Sequence, residues 1–222
     1  MKEHKELREV QILNIKKRAI EFTCNTLGSE CPNQKCYLIS YPLSIHLANN
    51  GFLNSVKAGT VNKGKTEARP HYWINLDYKN EFIIDTTARQ FNGTLGYVHF
   101  GDKLADDEAY YCDVAFKEWS DDLMDNFKQR KSRNEDASLL PQHRILTPPI
   151  ESYIKISIKS AIILIKDKKP DCINKKFVGS VCQASRNFYN ENPDKLSNFE
   201  DAVKFLQFCS DNNIPEFIKW HK

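Results

Sequence analysis

The sequence predicts an α+β fold, with helices packed on an antiparallel sheet and a helical C-terminal region, and three observations lead to it. Apolar residues recur at helical spacing as far as Gly51, and strand-like runs then fill 52–101. Two of those runs, 70–76 and 81–87, read as one β-hairpin, which makes the sheet antiparallel. Helical spacing takes over again after about residue 145.

Residues 3–27 read as an amphipathic helix: Leu7, Val10, Ile12, Leu13, Ile20 and Phe22 fall roughly along one side, and Gly28 ends it. The loop GSECPNQK follows. A second helix starts near Cys36 and runs through CYLISYPLSIHLANN to Gly51, a good stop signal, while Pro42 inside it implies a kink or a later effective start. Phe52 to Val61 reads as a strand, and the polar run NKGKTEA connects it to the hairpin. LGYVHFG (95–101) reads as a further strand, with Gly93 and Gly101 as punctuation. Aromatics in EAYYCDVAFKEWSDDLMDNF have helical spacing, and 128–149 is polar and proline-containing.

The last third opens at Thr147-Pro-Pro-Ile-Glu151, a capped helix start with proline in the first turn and glutamate near the positive end of the dipole. Ile150, Tyr153, Ile154, Ile158, Ala161, Ile162 and Ile165 carry that helix onward. Phe177, Val181, Ala184 and Phe188 mark a second, and Ser197 to Glu200 form a capping box for a third. The expected division is a domain over 1–127, a linker over 128–146 and a helical region over 147–222.

Composition narrows the function. A chain of 222 residues is long enough for a substantial core, and 41% hydrophobic with 27% charged residues is ordinary for a globular protein. The 32 basic residues are nearly balanced by 29 acidic ones, for a net charge of +3, so nucleic acid is not an expected partner. The basic cluster from Lys128 to Arg133 is followed at once by Glu135 and Asp136 and reads as solvated surface. The N-terminus is charged with both signs and lacks the apolar run of a signal peptide; no stretch approaches the roughly 18 apolar residues of a membrane span. A cytoplasmic protein without a membrane partner is expected, with secretion by a signal-less route left open. The seven cysteines are an odd number at irregular spacing, so a disulfide framework is not expected, and no second close pair joins Cys31 and Cys36 to complete a zinc site.

The chemistry is concentrated in HYWINLDYKNEFIIDTTARQF, residues 71–91. In the first strand His71, Trp73 and Asn75 point one way; in the second, Ile83 and Asp85 share a face. With Asp77, Tyr78 and Lys79 as a three-residue turn, Leu76 pairs with Asn80 and His71 stands directly opposite Asp85. Facing Cβ atoms are about 4.5–5.5 Å apart, close enough for the carboxylate to accept from the imidazole. A two-residue turn would put the two on opposite faces. Such a pair becomes catalytic when a nucleophile touches the other ring nitrogen. Cys36 is the best candidate, because the positive end of a helix and a neighbouring imidazole both favour the thiolate. Backbone amides at the same helix end offer an oxyanion hole. Cys31 competes with Cys36, but Pro32 and the loop around it make it the weaker choice; Asp77 competes with Asp85 from the turn. His99 reads as structural, and His46, ten residues along the helix from Cys36, is about 15 Å away.

With these residues in view, CYLISY opening a helix, HYWIN on a strand and IIDTTARQF on the next resemble the transglutaminase-like branch of the papain-fold cysteine enzymes. The resemblance covers about residues 30–110 and implies a papain/transglutaminase-like core. It implies Cys36 as nucleophile, His71 as base and Asp85 as orienting acid, with Trp73 matching the aromatic two residues after the histidine. Trp73 and Gln90 are the expected site-lining residues: the indole excludes water from the pair, and Gln90 brings a side-chain amide. GYVHFG fits the next strand of that family. Asn75 stands where many members have an acidic residue, and Pro42 interrupts the nucleophile helix.

The expected function is thiol-dependent acyl chemistry on a peptide or protein amide, with hydrolysis, as a peptidase or glutamine deamidase, the default because water is the default acceptor. An amine acceptor would make a transglutaminase or acyltransferase. Other classes are a binding module on the same scaffold, with the C-terminal helices as a docking element for a protein partner, and a metal site built from Cys31, Cys36 and His71. No cofactor is expected: GTVNKGK (59–65) lacks the spacing and the following Ser/Thr helix start of a phosphate loop.

Overall fold

The computed structural model describes residues 6–30, 32–33, 35–63, 67–79, 82–90, 98–101, 150–167, 175–198, 200, 204–205, 207 and 211. Among these the chain is α+β, with four helices and a small four-stranded antiparallel sheet. The helices are α1 (Glu9–Leu27), α2 (Cys36–Asn49), α3 (Ile150–Asp167) and α4 (Lys175–Glu191). The strands are β1 (Asn54–Lys63), β2 (Glu67–Leu76), β3 (Ile83–Asp85) and β4 (His99–Gly101), arranged in chain order across the sheet. The helical aromatics of 108–127, the basic cluster and the proline-containing stretch of 128–149 lie outside the described residues, as does Cys31.

Helix α1 buries only part of the side its apolar spacing indicated: Leu7 and Phe22 are in the core and Ile12 and Ile20 pack against it. Ile15, Ala19, Phe22 and Thr26 face the core at helical intervals, whereas Val10 is 77% and Leu13 is 66% exposed. At 100° per residue those two sit on the far side from Ile15, so the stripe that packs is one of several the sequence offered. Thr23 and Thr26 can take core positions because their hydroxyls donate to the carbonyls of Ala19 and Phe22, one turn back.

Helix α2 does begin at Cys36, and Pro42 lies inside it without delaying the start. The proline removes one donor, the one that would meet the carbonyl of Leu38, while Leu38, Ile39, Leu43 and Leu47 of the same helix pack into the core. Gly51, at φ +83°, takes the left-handed turn that ends the helix, and its N–H reaches the carbonyl of Ala48 at 3.0 Å.

Strands β1 and β2 pair along their whole length, from Asn54 with Leu76 to Lys63 with Glu67. They extend through most of the polar run expected to be a connection, which leaves only 64–66 between them. In the next hairpin Ile74 pairs with Ile84 and Asn75 with Ile83, two residues beyond the pairing that a three-residue turn would give. The N–H of Leu76 donates to the carbonyl of Phe82 at 2.9 Å, so the pairing runs on to these two residues. A shift of two preserves the side-chain alternation, and His71 and Asp85 therefore stay on one face. Both faces of this stretch are covered: Trp73, Ile83 and Asp85 are buried on one side, Ile74, Leu76 and Ile84 on the other.

The C-terminal helices close over the first part of the chain. Ile156 of α3 joins Leu38, Ile39, Leu43, Ile74 and Ile84 in one apolar cluster. Ile154, Ile158, Ala161 and Ile165 pack instead with Phe177, Val178, Val181 and Phe188 of α4. Helix α3 is thus buried on two sides and runs between α2 and α4. Polar clips fix it beside α2 at both ends: Ser152 donates to Glu30 at 2.8 Å near the start of α2, and Asp167 meets His46 at 2.6 Å near its end. The two helices therefore run in the same direction. After α4 comes a 3-10 turn over Pro193–Asn198, and Lys195 pairs with Glu151 of α3. Glu200, Lys204, Phe205, Gln207 and Asp211 are helical where the third C-terminal helix was expected. No helix among the described residues is long and apolar enough to cross a membrane.

Candidate active site

Three elements bring the expected site residues together. Cys36 is the first residue of α2, His71 lies in β2, and Asp85 is the last residue of β3. His71 Nε2 lies 2.7 Å from Asp85 Oδ2, and both side chains are 0% exposed. The observed register places the two diagonally across the strands rather than face to face, a separation that side chains of this length span. Cys36 lies close enough to His71 to help raise the imidazole pKa. Since Nε2 belongs to Asp85, the thiol meets the Nδ1 side of the ring.

Asp85 is itself held from behind. Its Oδ1 accepts from the backbone N–H of Thr87 at 2.8 Å and from the Thr87 hydroxyl at 3.2 Å. The turn after β3 therefore folds back onto the carboxylate, leaving Oδ2 for the imidazole. Both carboxylate oxygens are thereby engaged, which sets the orientation of the imidazole.

Burial alone would push the His71 pKa down, because a buried imidazolium loses its hydration. The charge and hydrogen bond of Asp85, with a further contribution from Cys36, outweigh it and raise the pKa to about 10. His71 is accordingly an imidazolium at neutral pH, with Nε2–H donating to Asp85.

The lining residues are also adjacent. Trp73 is 5% exposed and its ring lies 6.3 Å from that of His71, nearly parallel, while its indole N–H donates to Asn75 Oδ1 at 2.9 Å. Asn75 thus holds the indole flat beside the imidazole. Gln90, in the 3-10 turn Ala88–Gln90, places Nε2 at 3.4 Å from His71 Nδ1 and 3.2 Å from Thr87 Oγ1. Among the competitors, Asp77 accepts from Ser55 at 3.0 Å in the hairpin connection, and His46 pairs with Asp167. His99 is the register partner of Asp85 on β4, closer to the site than its reading as a structural residue implied.

Several neighbours carried no sequence signal. Tyr72, on the other face of β2, lies near enough to Cys36 for the sulfur's charge, after burial, to raise the phenol pKa to about 12. Tyr37, next in sequence to Cys36 and 49% exposed, packs edge-on against Tyr72 at 4.9 Å and stacks on Tyr41 at 5.6 Å. Lys35, buried just before Cys36, pairs with Glu30 at 3.1 Å. Burial tends to raise the Glu30 pKa, but hydrogen bonds from Ser152 and Lys35 and the charges of Lys35 and Lys155 hold it below the usual value. The loop entering the Cys36 helix is therefore anchored on α3.

Among the described residues no group of three or more His, Cys, Asp or Glu side chains is gathered to hold a metal ion. Of the cysteines described, Cys24 is exposed, Cys36 and Cys182 are buried, and none is in a disulfide. Compared with known proteins, the chain matches no family model, no curated protein and no solved structure.

Proposed function

We propose that this protein performs thiol-dependent acyl chemistry on a peptide or protein amide, with Cys36 as nucleophile, His71 as acid and base, and Asp85 as the group that orients and charges the imidazole. The observation that carries the reading is the buried Asp85–His71–Cys36 relay: a carboxylate on one ring nitrogen, a thiol on the other, and an imidazole kept protonated between them. The geometry is also what the resemblance to the transglutaminase-like branch of the papain-fold enzymes implies, and we extend that core to this chain on the same ground.

The steps follow from the placement. Cys36 Sγ attacks the amide carbon; His71 Nδ1–H passes its proton to the departing nitrogen, and a thioester remains on Cys36. Water then attacks the thioester, giving a proton back to Nδ1, and the thiolate is expelled. Asp85 stays ionised throughout and stabilises the imidazolium. The indole of Trp73, parallel to the ring, keeps water away from the buried pair. Water is the simpler acceptor; an amine in its place would give acyl transfer through the same thioester.

Alkylation by iodoacetamide near pH 7, mapped by mass spectrometry over all seven cysteines, tests this directly. Accessibility alone ranks exposed Cys24 ahead of Cys36, which is 4% exposed. Activation reverses that order, and Cys36 is expected to react at least about 10-fold faster than Cys24. Labelling of Cys24 first would remove the nucleophile. Cys36→Ala should abolish turnover of any amide or thioester substrate with little change in Tm, and turnover retained by that variant would count equally against the reading.

A further inference from the structure

We infer that Gln90 is a catalytic residue that donates a side-chain N–H to the oxygen of the acyl group under attack. The inference rests on the proposed Cys36 chemistry and assigns a role that the relay itself leaves unfilled.

Three observations lead to it. The Gln90 amide stands on the thiol side of the imidazole, with Nε2 3.4 Å from Nδ1, the nitrogen that Asp85 does not use. It is held there by Thr87 Oγ1 at 3.2 Å, and Thr87 is in turn fixed on Asp85 by its backbone N–H and its hydroxyl. One short turn thus carries the acid that charges the ring and the amide that borders it. Finally, the amide has two N–H groups and Thr87 accepts only one. With Nδ1 protonated, the second cannot be accepted by the ring, because both nitrogens then carry hydrogen. Among the described residues no other acceptor is seen for it, and it stands beside Nδ1, the ring atom that passes its proton to the leaving group.

The chemistry requires such a donor. When the sulfur pair forms the S–C bond, the carbonyl π pair moves onto oxygen, which becomes an alkoxide. The first backbone amides of α2, which have no intrahelical acceptor, supply donors at the sulfur. Gln90 supplies one from the side of the imidazole. Collapse of the alkoxide restores C=O and breaks the bond to the leaving group, so the N–H is needed at full strength only while the charge exists.

Two reagents separate this role from mere support of His71. p-Nitrophenyl acetate acylates a thiolate through a tetrahedral alkoxide and releases nitrophenolate. Iodoacetamide alkylates the same thiolate by displacement of iodide, and no charge develops on its carbonyl oxygen. Both rates are measured on the full chain, with Cys36→Ala subtracted, for the wild type, Gln90→Leu and Gln90→Glu. Loss of one donor is expected to slow acylation about 10²-fold while alkylation changes less than about 2-fold. Gln90→Glu keeps the size but offers no N–H, so it should fall as far as Gln90→Leu; it also serves if the leucine variant does not fold. Unchanged acylation in the glutamate variant would overturn the assignment, since an acceptor would then suffice. Equal losses in both rates would overturn it too, by making Gln90 a prop for the ring. If wild-type Cys36 reacts with neither reagent faster than Cys24 does, the underlying thiol chemistry fails and the donor role falls with it, a result distinct from the other two.

Discussion

Among the described residues two histidine–aspartate pairs have almost the same length, and they differ in what else touches the ring. His71 and Asp85 meet at 2.7 Å with neither side chain exposed, and the second nitrogen faces a cysteine at a helix start. His46 and Asp167 meet at 2.6 Å with 9% and 12% of their side chains exposed, and the ring of His46 lies 5.3 Å from that of Phe22. The second pair fastens α3 to α2. A carboxylate on an imidazole is therefore not a site in itself. It becomes one when the other nitrogen meets a group that can use its proton.

The sharpest way to test that contrast is to remove each ring in turn. His71→Gln should slow acylation of Cys36 by p-nitrophenyl acetate on the order of 10³-fold or more, whereas His46→Gln should leave it within about 2-fold. Comparable losses in the two variants would mean that both pairs act only on the fold. The carboxylates come next, read by urea denaturation. Asp85→Ala strands a fully buried imidazole and should cost about 3–5 kcal/mol, while Asp167→Ala, at a pair that keeps about a tenth of each side chain in water, should cost less, about 2–3 kcal/mol.

The pH dependence of stability offers a finer separation. The His71 pKa is raised from 6.5 to about 10 on folding, so its contribution is fully present below about pH 6.5 and is lost as pH climbs through 10. Melting temperature should decline across that window in the wild type and decline less in His71→Gln; identical slopes would show that His71 does not carry the proton. Acylation of Cys36 should lose rate over the upper end of the same window. The smallest expected effect belongs to the loop before Cys36. Glu30→Gln should cost about 1–2 kcal/mol: it removes the charge facing the buried Lys35 ammonium, but the glutamate is itself 26% exposed and the amide can still accept a hydrogen bond. Because the Glu30 pKa is depressed on folding, its share is present above the ordinary carboxylate pKa and disappears as pH falls below it; the variant should therefore differ from wild type at pH 7 and converge with it in acid.

How much of this was written in the sequence depends on the range of the interaction. The start of α2 at Cys36 and its stop before Gly51 are local signals, and both are present. The common face of His71 and Asp85 follows from alternation, which survived a pairing two residues away from the expected one. The register itself did not follow, because connection length is fixed by how the hairpin sits on the core, and Asp77 is drawn aside by Ser55 and by the carbonyl of Leu53. The buried stripe of α1 was ambiguous for a similar reason: Val10 and Leu13 are as apolar as Ile15, and only the position of the neighbouring elements chooses between them. The His46–Asp167 pair joins residues 121 positions apart and has no sequence signature at all. Gln90 was legible as a lining residue from its place after Asp85, but its tether through Thr87 required the folded turn.

Ile156 has a practical consequence for anyone working with this chain. Its side chain fills space among residues of α2 and the sheet, so the hundred or so amino acids that hold the relay draw part of their interior from the other end of the polypeptide. A fragment stopping before α3 would carry every reacting atom and still present a wound of bare isoleucine and leucine to water. A ribosome must therefore pass the α3 codons before the interior around the relay can close, long after the cysteine and the histidine have been made.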